Sequence, residues 1–175
     1  MTNRIIFRHP DKNDAKEIYK LIKNSKPLDL NSQYLYLLQT TYFSNTSLVA
    51  QMENKIVGFV SGFIDPNDKN IFFVWQIAVD NSYRGCGIGF NMLKKLFDSN
   101  KVRGAECIHV TISPSNINSK KLFEKFANEL KFKKEISIFA KKDDFEEAHE
   151  DELLYELKPI KGGYYENIWN LWVCC

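Results

Sequence analysis

The chain is 175 residues long, and 44% of its residues are hydrophobic, 14% aromatic and 26% charged. That length predicts one domain with a proper core, and the composition excludes a disordered protein. The net charge is +2, with Lys and Arg scattered among acids, so we expect no nucleic-acid surface. The N-terminal segment lacks the apolar core of a signal peptide, and no run approaches membrane-spanning length. We therefore expect a cytoplasmic protein without a membrane partner.

The four cysteines are Cys86, Cys107, Cys174 and Cys175. They form no CxxC pair, and their spacing to the histidines matches no zinc site, so we expect no metal. Without an export signal, the cysteines are expected to be reduced thiols. The terminal pair is interpreted as part of a tail with an oxidation liability rather than as a functional thiol.

The apolar patterns predict, in chain order, a strand, two helices, three strands, a helix, a strand, a helix and two strands. The first strand is IIFRHP, and the helix after it has capping residues at its start. Asn31 or Ser32 is the expected cap of the second helix. The run IFFVWQIAV, residues 71–79, is too continuously apolar for a half-exposed strand, so we place it at the centre of the sheet.

No internal repeat or low-complexity linker divides the chain, so we predict a single domain over residues 1–160 and a C-terminal tail over residues 161–175. The tail carries an apolar cluster of Trp169, Leu171, Trp172 and Val173. Because such a cluster is a liability when exposed, it would pack on the domain or on a second subunit.

A glycine-rich stretch, YRGCGIGF, lies between the central strand and the next helix. Its glycines do not follow the G-x-G-x-x-G dinucleotide pattern, and no lysine followed by Ser or Thr completes a triphosphate loop. The remaining pattern is R-x-x-G-x-G, formed by Arg84, Gly87 and Gly89. Such a turn at a helix N-terminus directs backbone N–H groups and the helix dipole at an anion, which suits a pyrophosphate. The alternative is a tight strand-to-helix turn without a ligand.

With the strand before it and the segment TISPSNINSKKLFEKF after it, this loop resembles the pyrophosphate-binding turn of the GCN5-related N-acetyltransferase (GNAT) superfamily. The resemblance implies an α+β fold with a mixed, mostly antiparallel central sheet, flanking helices and splayed central strands. It also implies acetyl-CoA as cosubstrate, with the acyl-pantetheine arm in the gap between those strands. The positions that it assigns to acetyl-CoA are Ile77, Ala78, Val79, Arg84, Gly85, Gly87, Ile88, Gly89, Asn116 and Ser119.

One position departs from the superfamily pattern. A tyrosine commonly protonates the departing thiolate there, and this chain has Phe123. Because Phe123 has no proton to donate, another hydroxyl or a water serves, or the thiolate leaves unassisted, since a thiol of pKa about 8.5 is a fair leaving group.

Three further segments bear on the acetyl acceptor, namely PLDLNSQYLYLL, FVWQIAV and AHEDELLYEL. Each has an ordinary alternative. Asp29 and Asn31 could only cap a helix, Trp75 could belong to the core, and the acidic run could be a solvated loop. Together, and over nearly the whole chain, the segments resemble the L-2,4-diaminobutyrate acetyltransferases of ectoine synthesis.

This second resemblance implies acetylation of the γ-amine of L-2,4-diaminobutyrate by direct attack on the thioester. Carboxylates suit the ammonium groups of such a substrate, so Asp29 and Glu152 are the candidates to bind them. Asn31, Tyr34 and Trp75 complete the candidate substrate pocket, with a possible cation–π contact from the indole.

For the base that deprotonates the attacking amine, Glu152 and His149 are the candidates. A homodimer is the expected assembly. Two alternatives remain open: acetylation of another small diamine or a polyamine, and a non-catalytic acyl-CoA-binding sensor, towards which Phe123 points.

Overall fold

The computed structural model describes residues 4–99, 102 and 104–160. The strands are β1 (Ile5–Arg8), β2 (Ser47–Met52), β3 (Lys55–Ile64), β4 (Ile71–Val79), β5 (Cys107–Ile112), β6 (Phe132–Ala140) and β7 (Glu152–Pro159). The α-helices are α1 (Ala15–Lys23), α2 (Gln33–Gln39), α3 (Ile88–Phe97) and α4 (Ile117–Glu129). The predicted order of strands and helices is confirmed. The tail at 161–175, with Cys174 and Cys175, lies outside the described residues.

The strands of the described chain form one seven-stranded sheet in the order β1-β2-β3-β4-β5-β7-β6, with β4 at its centre as predicted. Neighbouring strands pair antiparallel, except that β4 and β5 are parallel. The pairing of β4 with β5 covers only Ile71 to Val74, although β4 continues to Val79. Beyond Val74 the two strands therefore part. The predicted mixed, mostly antiparallel sheet with splayed central strands is confirmed.

Helices cover both faces of the sheet. The inner sides of α3 and α4 pack on one face in a large core that includes Phe72, Met92 and Phe123. The apolar stripe of α1 packs on the other face with α2, in a second core around Ile18 and Phe59. Phe123 is fully buried, so its ring serves the packing of α4 on the sheet.

A β-bulge interrupts the pairing of β3 with β4. Ser61 lies opposite Gln76 and Gly62 lies opposite Val74, which leaves Trp75 as an extra residue in β4. A bulge of this kind shifts the alternation of side chains between the two faces. Accordingly, Val74 packs in the core below α3 and α4, whereas the side chain of Gln76 is buried on the opposite side, against α2.

Trp75 itself is 41% exposed and packs edge-on against Phe63, with 5.9 Å between the ring centroids. The core alternative for this tryptophan is therefore wrong. The bulge instead turns the indole toward the surface, next to a buried glutamine, at the middle of the central strand.

Within the described residues, no helix combines the length and apolar character that crossing a bilayer requires.

Candidate active site

The glycine loop joins the end of β4 to the start of α3 with two residues in left-handed backbone conformation. Gly85 has φ of 80° and Gly87, the residue that precedes α3, has φ of 76°. Glycine adopts this region without the steric cost that other residues meet. The loop is also tied back to the strand, because Arg84 Nε donates a hydrogen bond of 3.1 Å to the carbonyl oxygen of Val79.

The missing side chains of this loop leave room in front of the helix. A β-carbon added to Gly85 would meet no atom within 4 Å, and one added to Gly87 would approach only Asn91 Nδ2, at 3.7 Å. The N-terminus of α3 is therefore accessible to an anion, which its backbone N–H groups and its dipole favour.

A cavity of about 330 Å³ opens beside this loop. The end of β4, the starts of α3 and α4 and the segment after α1 form its walls. It lies where β4 has no pairing with β5, so strand edge is available to a ligand. The positions that the resemblance assigned to acetyl-CoA all line it: Ile77, Ala78, Val79, Arg84, Gly85, Gly87, Ile88, Gly89, Asn116 and Ser119.

A second helix N-terminus meets the same cavity. Asn116 caps α4, because its Oδ1 accepts a hydrogen bond of 3.1 Å from the backbone N–H of Ser119. Both residues line the cavity. The positive ends of α3 and α4 thus converge on it, which suits a polyanionic ligand.

The described lining of the cavity includes no Asp or Glu. Its four cationic residues are Lys26, Arg84, Lys121 and Lys125. Lys121 is not among the predicted site residues. Because Lys121 and Lys125 are four residues apart, they lie on one side of α4, and this spacing is the sequence signal from which their common position could have been predicted. The segment 25–28, Tyr83 and Phe90 also line the cavity and were not predicted.

On the other side of β4, a buried glutamine fixes the loop between α1 and α2. Gln76 Nε2 donates to the carbonyl oxygen of Asp29 at 2.8 Å, and Gln76 Oε1 accepts from Tyr36 Oη at 3.3 Å. The same phenol oxygen accepts from the backbone N–H of Asn31 at 3.3 Å. Burial raises the pKa of Tyr36, which keeps its proton available for this network.

The cap of α2 is Ser32, whose Oγ accepts a hydrogen bond of 3.3 Å from the backbone N–H of Leu35. The capping alternative for Asp29 and Asn31 is therefore wrong. The side chain of Asp29 is 80% exposed, with its carboxylate free of the helix.

That carboxylate faces His149, with 3.5 Å between Asp29 Oδ2 and His149 Nε2. On its other side, the imidazole donates from Nδ1 to the carbonyl oxygen of Glu150 at 2.7 Å. This hydrogen bond, together with the nearby carboxylates of Asp29 and Glu152, raises the pKa of His149 above its ordinary value. The imidazole is therefore held between two segments that are far apart in sequence.

Two carboxylates that follow His149 bond to the connection between β5 and α4. Glu150 Oε2 accepts from the backbone N–H of Ser115 at 2.9 Å, and Glu152 Oε1 accepts from Ser113 Oγ at 2.6 Å. Residues 141–148 and Glu150 are exposed, whereas His149, Asp151 and Glu152 are partly buried, so the acidic run is a solvated loop only in part.

The other two predicted substrate residues lie at the surface. Tyr34 is in the first turn of α2 and is 68% exposed, and Trp75 stands at the bulge of β4. Their place in an acceptor pocket stays a prediction.

The cavity and the predicted acceptor residues adjoin. Leu28 lines the cavity and Asp29 follows it directly, while on β4 Ile77 lines the cavity and Gln76 holds the Asp29 backbone. A ligand in the cavity and a cation at Asp29 would thus approach each other across the end of β4. No group of three His, Cys, Asp or Glu within the described chain is placed to hold a metal ion.

Comparison with known proteins identifies the family of this chain. The sequence model of the acetyltransferase (GNAT) family matches residues 15–127. The L-2,4-diaminobutyric acid acetyltransferase of Virgibacillus pantothenticus is 41% identical over 153 residues, which cover 87% of this chain and 96% of that protein. The enzyme of the same name from Vibrio parahaemolyticus is 37% identical over 157 residues, covering 89% and 86%.

Among solved structures, the diaminobutyrate acetyltransferase EctA from Paenibacillus lautus was determined with its substrate L-2,4-diaminobutyric acid and coenzyme A. It matches with a TM-score of 0.87 at 36% identity, over 90% of this chain and 96% of that chain. The NatC complex, at 18% identity and a TM-score of 0.71 over 90% of this chain and 99% of that chain, shares the fold alone. The chain belongs to the GNAT acetyltransferase family, and within it to the group of the L-2,4-diaminobutyric acid acetyltransferases.

Proposed function

We propose that this protein transfers the acetyl group of acetyl-CoA to the γ-amine of L-2,4-diaminobutyrate, which gives N4-acetyl-2,4-diaminobutyrate on the route to the osmolyte ectoine. The observation that carries the proposal is the position of Asp29 and His149, in contact at 3.5 Å, directly beside a cavity that suits coenzyme A. The names and the substrate complex of its relatives support the same reaction.

Acetyl-CoA is the cosubstrate, and the proposal gives each wall of the cavity a part in holding it. The pyrophosphate lies on the loop of Arg84, Gly85, Gly87, Ile88 and Gly89, where N–H groups and absent side chains suit it. The pantetheine amides pair with the free edge of β4, and the capped start of α4 contributes polar contacts. The residues of the strand edge are Ile77, Ala78 and Val79, and those at the start of α4 are Asn116 and Ser119.

The diamino acid binds on the far side of β4. Its two ammonium groups pair with the carboxylates of Asp29 and Glu152, both of which also act on the imidazole of His149. Asn31, Tyr34 and Trp75 form the remaining walls, and the indole face is suited to a cation.

The reaction is a direct transfer. Glu152 or His149 takes a proton from the γ-ammonium, and the nitrogen lone pair then attacks the thioester carbonyl carbon. A backbone N–H on the free edge of β4 stabilises the oxyanion of the tetrahedral intermediate. The carbon–sulfur bond breaks as the carbonyl re-forms, and the nitrogen, positively charged since the attack, gives its second proton to water. The thiolate of coenzyme A leaves and takes up a proton from water or a hydroxyl. The hydrogen bond of 2.6 Å from Ser113 Oγ to Glu152 Oε1 holds that carboxylate in place.

We assign the acetyltransferase domain to residues 1–160. We also propose that the protein acts in the cytoplasm, where acetyl-CoA is available. The free thiols of Cys86 and Cys107 agree with that compartment.

We also propose that the enzyme is a homodimer that pairs through β6. This strand is at one edge of the sheet, and its residues 135–139 are all exposed. Ile136 and Ile138 lie on the same face of it and are 49% and 57% exposed. A long apolar edge strand is a template for pairing with a second chain, and a two-fold axis allows the same edge to serve both copies.

The reaction is tested with purified protein, acetyl-CoA and a panel of amines, by following thiol release. We expect L-2,4-diaminobutyrate to be the preferred acceptor, with the product acetylated on the γ-nitrogen by NMR. Equal or faster turnover of spermidine would contradict the proposed substrate. Binding of acetyl-CoA without thiol release on any amine would instead identify a sensor.

The cofactor loop is tested by Gly87→Asp, which places a side chain and a negative charge beside the pyrophosphate. We expect affinity for acetyl-CoA, measured by calorimetry, to fall roughly tenfold or more because like charges would meet. Gly104→Asp is the matched control, since Gly104 has φ of 120° and open space around it but does not line the cavity. Equal losses in both variants would mean that backbone strain explains the effect.

For the acceptor, Asp29→Asn removes a charge but keeps the backbone hydrogen bond to Gln76. We expect the KM for the amine to rise roughly tenfold, with the KM for acetyl-CoA unchanged, because a charge-assisted contact is lost. Asp98→Asn, in an exposed pair with Lys94 on α3, is the control. If neither KM changed in the Asp29 variant, its carboxylate would have no part in binding the acceptor.

The assembly is tested by light scattering on the double variant Ile136→Lys/Ile138→Lys. We expect the wild-type protein to have the mass of a dimer and this variant that of a monomer, since two charges would enter the apolar contact. Ile6→Lys is the control, because Ile6 is 54% exposed on β1 at the opposite edge of the sheet. A monomeric wild-type protein, or dissociation by Ile6→Lys, would contradict the pairing through β6.

A further inference from the structure

The connection between β6 and β7 is a folded hairpin loop in which backbone N–H groups donate hydrogen bonds to aspartate side chains. The N–H of Lys141 donates to Asp144 Oδ2 at 2.7 Å, and the N–H of Lys142 donates to Asp151 Oδ1 at 2.8 Å. The second of these bonds connects the start of the loop to the residue just before β7. The loop therefore has a defined shape although residues 141–148 are exposed.

Inside this loop, the ring of Phe145 stacks on the imidazole of His149. The ring centroids are 4.0 Å apart and the planes differ by 19°. Phe145 is 37% exposed and lies outside both apolar cores, so this stack is its principal described ring contact. Three contacts fix the position and the ring orientation of the His149 imidazole: the hydrogen bond at Nδ1, the Asp29 carboxylate at Nε2 and the face of the Phe145 ring.

We infer that Phe145 is a positioning residue for the acceptor site: it holds His149 in the orientation in which Nε2 meets Asp29. The inference rests on the proposed function, which assigns Asp29, His149 and Glu152 to the acceptor. His149 is the point at which the hairpin loop reaches the segment after α1. A fixed imidazole therefore sets how far the carboxylate of Asp29 lies from that of Glu152.

This separation matters for a diamino acid. The two ammonium groups of L-2,4-diaminobutyrate are a fixed number of bonds apart, so two carboxylates bind both only when their own spacing matches. Without the stack, the imidazole can rotate about its side-chain bonds, and the segment with Asp29 loses its partner. Phe145 thus acts on selection of the acceptor and not on the binding of acetyl-CoA.

The first test compares Phe145→Leu with Phe145→Tyr and with the control Tyr42→Leu. We expect the leucine variant to raise the KM for L-2,4-diaminobutyrate roughly two- to tenfold, the range that a lost ring stack implies, with the KM for acetyl-CoA unchanged. Tyrosine keeps the stack and should restore the wild-type value. Tyr42, in the segment after α2, is 85% exposed, so loss of its ring should have no effect. A rise in both KM values, or no rescue by tyrosine, would overturn the inference.

The second test is a double-mutant cycle with His149→Ala. If Phe145 acts through His149, then Phe145→Leu should have no further effect on the acceptor KM once the imidazole is gone. Independent effects that multiply in the double variant would show that Phe145 acts by another route.

The third test needs no activity. The chain has three histidines, so the imidazole signals of His149 can be assigned and titrated by NMR in the substrate-free protein. The charged groups that face this imidazole are Asp29 from the segment after α1 and Glu152 from β7. Phe145→Leu should remove the ring-current shift of the imidazole and lower the pKa of His149, because its contact with Asp29 loosens. Tyr42→Leu should change neither.

The NMR result separates the two proposals. Unchanged His149 signals in Phe145→Leu would overturn the positioning role even in an enzyme that acetylates L-2,4-diaminobutyrate. The expected NMR change without turnover of that amine would retain the stack and reject the acceptor assigned to it.

Discussion

The backbone N–H and C=O groups of a buried strand need hydrogen-bond partners, which come from a neighbouring strand or from a ligand. On the side that faces β5, one half of β4 has a strand as partner and the other half is open to a ligand. Its first half pairs with β5 from Ile71 to Val74, and its second half parts from that neighbour. The cavity lies at this parting, and the glycine loop, the start of α4 and the segment after α1 close around it. The free edge of one central strand thus determines where a cofactor can enter the sheet.

The bulge in the same strand determines what lies on the opposite side. An extra residue at Trp75 brings Gln76 to the face below α2, where it holds the backbone of Asp29. The carboxylate of Asp29 is thereby presented to His149 across a gap in sequence of more than a hundred residues. The cavity and the proposed acceptor residues therefore lie on two sides of β4, connected by neighbouring side chains of one strand.

The position of β4 and the glycine loop could be predicted from the sequence, because apolar runs and glycines are strong local signals of backbone structure. The continuous apolar run placed β4 at the centre, and positive φ values explain why Gly85 and Gly87 stand in the loop. The bulge could not be predicted, since it depends on the register between two strands. The stack of Phe145 on His149 was equally hidden, because neither spacing nor composition shows how an exposed loop folds back on itself.

The convergence of two helix N-termini on one cavity bears on the conditions in which such an enzyme works. Salt shortens the Debye length to about 3 Å at 1 M. Attraction from the exposed Lys121 and Lys125 weakens under those conditions, whereas N–H groups in direct contact with a phosphate oxygen lie inside that length. Added salt should therefore weaken the contribution of the lysines to anion binding more than that of the backbone N–H groups.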